Sequence, residues 1–205
     1  MLLLITRPRY EKTTHYLHCW SGELVNEARR RSVEVIDLEK EKATRDKVES
    51  YLKKKDPDII IFNGHGNDVS VAGDDDKTIA EVGRSTYLFK DKKVYVRACR
   101  AGKKLGPDIV NNGATGFVGY IQDFIFPYDK DSIHKPLQDE YAKPNLECSN
   151  QVGISLIKGK SIKDANDDSL KMFKQKLDEQ LTSKSKNSLV ATCLLWNMMN
   201  QIVIE

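Results

Sequence analysis

Residues 58–66 read DIIIFNGHG, and the consecutive apolar side chains from Ile59 to Phe62 constrain the fold more than any other stretch. Side chains alternate across a strand, so a strand with no polar position is covered on both faces. Such a strand belongs in the interior of a sheet, with helices packed above and below it. The flanking sequence supplies those elements in alternation. Leu2 to Ile5 and Val33 to Leu38 read as strands, separated by a helical stretch that carries Leu17, Trp20, Leu24 and Ala28. A second helix, Arg45 to Lys55, ends at Asp56-Pro57, because the residue before proline is pushed out of the α region. Lys93 to Cys99 is a further strand, followed by a helix near Lys103 to Asn111 and a strand over Ala114 to Tyr120.

The last third predicts a strand at Gln151 to Ile157, a helix from about Ile162 to Leu181 and a buried helix over Leu189 to Gln201. Ser161, with Asp164 three residues on, is the expected cap of the first of these helices. Gln122 to Ser149 holds Pro127, Pro136 and Pro144 and has little periodicity, so it reads as a long loop that walls the site. The expectation is one domain over residues 1–205, a three-layer α/β/α sandwich around a six-stranded, mostly parallel sheet. Its site should lie outside the carboxyl ends of the strands.

With 40% hydrophobic and 31% charged residues and a net charge of +3, the chain lacks the electrostatic footprint of a nucleic-acid binder. The N-terminal apolar run, Met1 to Ile5, is shorter than a signal-peptide core, and no stretch reaches the ~20 apolar residues that span a bilayer. A cytoplasmic protein with neither membrane nor nucleic acid as partner is expected. Cys19, Cys99, Cys148 and Cys193 are irregularly spaced, which encodes neither a zinc site nor a disulfide framework. Cys19 and Cys193 read as core packing and Cys148 as an incidental loop thiol. His15, His18 and His134 read as solvated, and Asp74-Asp75-Asp76 as a solvated turn.

Two strand ends carry chemistry. His65 lies between Gly64 and Gly66, which leave the imidazole unobstructed and let backbone approach a ligand. Tyr95, Arg97 and Cys99 share one face of their strand. If the two strands are neighbours, His65 and Cys99 meet at one sheet edge, where an imidazole can promote thiolate formation and later protonate a leaving amine. A following helix would lower the thiol pKa through its positive end, and the N–H groups of Gly66 and Cys99 are candidate oxyanion donors.

NGHG followed by RACRAG and NNGATGFVGY resembles the caspase-like (clan CD) cysteine peptidases, including gingipain-like and CHAT-type members. The motifs span Asp58 to Tyr120, and the order of strands and helices extends the likeness over most of the chain. The resemblance implies a His65/Cys99 dyad, an oxyanion site at Gly66 and cleavage of a protein or peptide substrate after one selected residue, with no cofactor and no metal ligand in the dyad. Some relatives bind calcium, for which Asp74 to Asp76 offer carboxylates. The residue two before the nucleophile often faces the P1 pocket in these relatives. Here it is Arg97, whose guanidinium would favour an acidic P1 side chain, although Asp68 or Asp123 could turn the pocket toward basic residues. No third catalytic member is assigned by the motif. An activating partner protein or a homodimer fits this family, and a prokaryotic defence or signalling role is compatible with it.

Other classes fit less well. A tyrosine phosphatase needs an arginine six residues after the cysteine, where Leu105 stands. A nucleophile elbow needs glycines at positions occupied by Arg97 and Ala101. The remaining alternatives are a non-catalytic α/β binding module that uses Gly64, Gly66 and the next helix to hold an anion, and a pseudo-peptidase or regulatory module that works only when a partner protein activates it.

Overall fold

The computed structural model describes residues 1–182 and 188–205. In chain order the first half runs β1 (Leu2–Arg7), α1 (Lys12–Arg30), β2 (Glu34–Glu39), α2 (Arg45–Lys55), β3 (Ile59–Asn63), β4 (Ser70–Ala72), β5 (Thr78–Glu81) and β6 (Lys93–Arg97). The second half runs α3 (Leu105–Asn111), β7 (Gly116–Tyr120), α4 (Lys143–Ile157), α5 (Ile162–Thr182), α6 (Ser188–Asn200) and β8 (Gln201–Ile204). Six strands form one sheet in the order β2-β1-β3-β6-β7-β8, parallel except for β8, which pairs antiparallel with β7. β4 and β5 form a separate antiparallel hairpin.

The alternation along β3 builds both cores. Ile59 and Ile61 face Leu17, Trp20 and Leu24 of α1 and Val152 and Leu156 of α4. Ile60 and Phe62 face Val48 and Leu52 of α2 and Leu105 and Ile109 of α3. Helices therefore cover both faces, and the chain is a three-layer α/β/α sandwich with β3 and β6 side by side near its centre. α2 starts on the Thr44 side chain, which accepts from Lys47 N–H, and stops at Asp56 in the left-handed region, ahead of Pro57. Ser161 caps α5 as expected, its hydroxyl accepting from Asp164 N–H at 3.0 Å.

Several expectations fail. Gln151 to Ile157 is not a strand but the end of α4, so the long loop is shorter than expected and Cys148 is a fully buried helix residue. The sixth strand is β8, beyond the last helix. α4 hid its helical period because it turns Asn145, Ser149, Asn150 and Ser155 inward, where they are fully or almost fully buried. His18 is not solvated either: it is largely buried, its Nδ1 3.0 Å from Arg7 O.

Candidate active site

Parallel strands place the loops after β1, β3, β6 and β7 on one edge of the sheet. Asn63, the last residue of β3, ties three of these strands together. Its Nδ2 donates to Thr6 O at 2.8 Å, its N–H donates to Thr6 Oγ1 at 3.2 Å, and its Oδ1 accepts from Arg97 Nε at 2.9 Å. Gly64 follows with φ +154°, where a side-chain Cβ would fall 2.2 Å from Ala72 O. The chain can then run beside β4, with Ala72 N–H donating to His65 O at 2.9 Å and Asn67 N–H to Ser70 O at 3.0 Å.

Gly66 fixes the relation between the two motifs. A methyl group at its Cα would lie 2.8 Å from Ala98 Cβ and 2.9 Å from Cys99 O. The backbone of His65-Gly66 is thus in contact with that of Ala98-Cys99, and the close approach requires glycine. Among the described residues no backbone acceptor is bonded to the N–H of Gly66 or of Cys99, so both donors lack a backbone partner.

The imidazole is held from the β1–α1 loop. His65 Nε2 lies 3.3 Å from Glu11 Oε1, and the Tyr10 ring meets the imidazole edge-on at 6.4 Å. Tyr10 in turn donates its hydroxyl to Asp76 at 2.5 Å. Glu11 is also the N-cap of α1, accepting from Thr13 N–H at 2.8 Å and Thr14 N–H at 2.5 Å. Burial alone would raise the Glu11 carboxyl pKa, but the N–H groups of Thr14 and Thr13, the Thr14 hydroxyl and the nearby His65 outweigh it and hold the carboxyl below its ordinary range. A carboxylate facing Nε2 fixes the proton there in the neutral ring and leaves the Nδ1 lone pair as the acceptor. The sequence concealed Glu11 because its capping box runs in reverse, with Glu at the cap and Thr at the third helical position.

Cys99 sits half-buried in the turn after β6. Burial pushes its thiol pKa up and the Asp123 carboxylate pushes it further, while the Phe124 N–H and Arg100 act the other way. The helix after Cys99 does not start at the thiol: α3 begins only at Leu105, six residues on, and is seven residues long. Among the described residues no hydrogen bond joins the His65 imidazole to the Cys99 thiol; the His–Cys contact at hydrogen-bond range is His15 Nδ1 to Cys19 Sγ, at 3.8 Å in α1. Arg100, with φ 57°, has Nε 3.3 Å from Asp68 Oδ1 and 3.6 Å from Asp123 Oδ1, and Lys103 Nζ lies 3.9 Å from Asp68, so this basic set faces carboxylates.

Arg97 has 0% exposure. Its Nη1 donates to Ser149 Oγ at 2.9 Å and Asn150 Oδ1 at 2.8 Å, and its Nη2 is buried without a partner. With no accessible surface it has no contact through which to select an acidic P1 side chain, and the arrangement makes it a brace between β3, β6 and α4 below the site. Asp75 pairs with Lys77 and Asp76 with Tyr10. Among the described residues no cluster of three or more His, Cys, Asp and Glu side chains could hold a metal ion. No helix is long and apolar enough to cross a membrane among the described residues.

A cleft of about 200 Å³ opens between Lys12, Thr13 and Tyr16 at the start of α1, the residues after Glu11, and the 124–128 stretch after β7. That stretch is fixed from α6. Trp196 Nε1 donates to Asp123 O at 2.8 Å, Asn197 Nδ2 donates to Ile125 O at 2.6 Å, and Ile125 N–H donates to Asn197 Oδ1 at 3.1 Å.

No family model matches the sequence, and no curated protein is significantly similar to it. Solved structures are similar in fold. The Arg-specific cysteine proteinase gingipain R is 8% identical, with a TM-score of 0.55 over 98% of this chain and 45% of that one. A complex of the RgpB pro- and mature domains of Porphyromonas gingivalis is 8% identical, with a TM-score of 0.59 over 99% of this chain and 46% of that one. The chain spans less than half the length of these proteins. At that identity the likeness is one of fold, and the fold is caspase-like, of the kind seen in the gingipains.

Proposed function

We propose that this chain is a cysteine-type endopeptidase with His65 and Cys99 as its reacting pair. The observation that carries this reading is the contact of His65-Gly66 with Ala98-Cys99, which gathers a thiol, an oriented imidazole and two N–H donors without a backbone partner at the carboxyl edge of the sheet. In the reaction His65 Nδ1 takes the thiol proton as Sγ bonds to the substrate carbonyl carbon. The carbonyl oxygen becomes an anion, which the N–H groups of Gly66 and Cys99 stabilise. Collapse breaks the C–N bond, and the imidazolium gives its proton to the departing amine. Water, deprotonated by His65, then cleaves the thioester, releasing the acid and restoring the thiol. Glu11 stabilises the imidazolium in each half-reaction and, by holding Nε2, leaves Nδ1 as the ring nitrogen available to the thiol. The chemistry needs no cofactor.

The raised thiol pKa and the absence of an imidazole–thiol bond favour a second form of the same reading, in which a partner protein or the substrate itself completes the dyad. Catalytic hydrogen bonds are often long before substrate arrives. The RgpB neighbour was solved as a complex of pro- and mature domains, which fits a peptidase handled by a protein segment. The test is release from fluorogenic peptides varied at P1, with wild type, Cys99→Ala and His65→Ala, with and without calcium. Cleavage lost in both variants supports the reading. Cleavage that survives Cys99→Ala rules it out, and silence from wild type with every peptide and with calcium points to the partner-dependent form or to an anion-binding module at Gly64 and Gly66.

A further inference from the structure

Resting on the peptidase reading, we infer that the cleft between α1 and the 124–128 stretch holds the side chain of the residue whose carbonyl is attacked, and that it selects a large apolar residue over an acid or a base. Position is the first argument. The cleft is joined through the backbone to both halves of the site. Lys12 and Thr13 directly follow Glu11, which holds His65, and Phe124, whose N–H lies beside the Cys99 sulfur, forms part of the wall. In the acyl-enzyme the side chain branches from the carbon next to the thioester carbonyl, so it must enter the space that adjoins the sulfur.

Chemistry is the second argument. Tyr16, fully buried, backs the wall by packing on Phe126 at 5.5 Å and on Tyr128 at 5.9 Å, and Phe124, largely buried, packs on Phe126 at 6.0 Å between ring centroids. Ile125 completes an aromatic and aliphatic wall. The Tyr16 hydroxyl donates to Asp139 at 2.5 Å. That carboxylate is fully buried and also accepts from the N–H groups of Asp129, Tyr141 and Ala142, so it offers no charge to a basic side chain. Lys12 is exposed at the rim, its Nζ 2.6 Å from the Tyr128 hydroxyl and 4.6 Å from that ring's centroid, where water screens it. A basic side chain in the cleft would lose its hydration and face the Lys12 ammonium, and an acidic one would gain only this water-screened lysine at the rim. Arg97, the other candidate selector, has no exposed surface.

Size and rigidity agree. About 200 Å³ is below the ~300–1,000 Å³ of small-molecule sites and suits one side chain. The paired bonds between Asn197 and Ile125 hold the wall in place before substrate arrives.

The test uses peptidyl acyloxymethyl ketones that differ only at P1 (Phe, Leu, Gly, Asp or Arg), with the rate of adduct formation on Cys99 read by intact mass and Cys99→Ala as the blank. The Phe and Leu probes should label wild type ~10- to 200-fold faster than the Asp and Arg probes, the range set by an apolar pocket. Thr13→Phe fills the cleft and should reverse the order, with the Gly probe labelling faster than Phe. Tyr128→Ser, at the half-buried end of the wall, should narrow the Phe advantage. An Asp or Arg probe that labels fastest overturns the inference while leaving the peptidase reading intact, as does an order that Thr13→Phe does not change. No adduct on Cys99 with any probe overturns the inference, which needs a Cys99 that reacts in this chain alone, and leaves only the partner-dependent form of the peptidase reading.

Discussion

Gly66→Ala tests the contact on which the site is built. The added methyl would meet Ala98 Cβ at 2.8 Å and Cys99 O at 2.9 Å, against an ordinary carbon–carbon separation of ~3.5–4.0 Å. The two loops must therefore part by about 0.7–1.2 Å, and neither neighbour is the end of a flexible side chain that could swing away. Overpacking of this kind costs about 1–3 kcal/mol, and in a chain of this size each kcal/mol lowers Tm by about 2–4 °C. The N–H of residue 66 survives the substitution, so the donor is moved rather than removed. Displacing a nucleophile by ~1 Å costs on the order of 100-fold in rate. Thermal unfolding gives the first quantity, and the labelling rate of Cys99 by its best peptidyl ketone gives the second, measured at a temperature where the variant is folded. A variant with wild-type labelling rate and unchanged Tm would refute the packing of His65-Gly66 on Ala98-Cys99, and with it the mechanism. Loss of stability with an unchanged rate would keep the packing and refute its catalytic consequence.

Other consequences can be measured as directly. Glu11→Gln retains one oxygen where the carboxylate uses two, for Thr13 and for Thr14 with His65, so it should lose roughly 0.5–2 kcal/mol of capping energy together with a fall in peptide turnover. Because the folded carboxyl titrates below its unfolded value, that stability is complete above about pH 4.3 and is lost as the pH falls through the folded pKa, so wild type and Glu11→Gln should converge in acid on thermal unfolding. Asp123→Asn removes a carboxylate that pushes the Cys99 thiol up, and should raise the iodoacetamide labelling rate at neutral pH roughly two- to fivefold, the order expected of one exposed charge. A slower rate would show that Asp123 supports the thiolate. Gly22→Ala lies inside α1, with only Arg7 Nη1 at 3.4 Å from the new methyl, and should raise stability by about 0.5–1 kcal/mol, read as a higher urea midpoint.

The parallel core was legible because full burial removes the polar face of a strand. Ile59 to Phe62 read as a central strand, and the residues after β3 and β6 meet because the two strands are neighbours, which the sequence reading could state only as a condition. What the sequence hid was polar structure inside the protein. α4 places Ser149 and Asn150 against Arg97 and Asn145 against Asn197, so its inward face is hydrophilic and its periodicity reads as a proline-rich loop followed by a strand. The same network explains why Arg97, which looks like a substrate-facing cation from its position before the nucleophile, is instead enclosed. β8 was missed because its four residues continue the apolar character of α6 without a break. Glu11 was missed because a lone carboxylate before a helix has many readings until the third dimension places it against His65.

The hydrogen bonds from Trp196 and Asn197 to the chain just after β7 cross a separation of more than seventy residues. During synthesis both reacting residues leave the ribosome long before α6 does. Until α6 docks, Asp123 and Ile125 lack the partners that set them, and the wall beside the thiol has no fixed form. A nascent chain therefore carries His65 and Cys99 before the wall beside them is set, and under the proposed reading the capacity to cut would be acquired last, after the rest of the domain has folded.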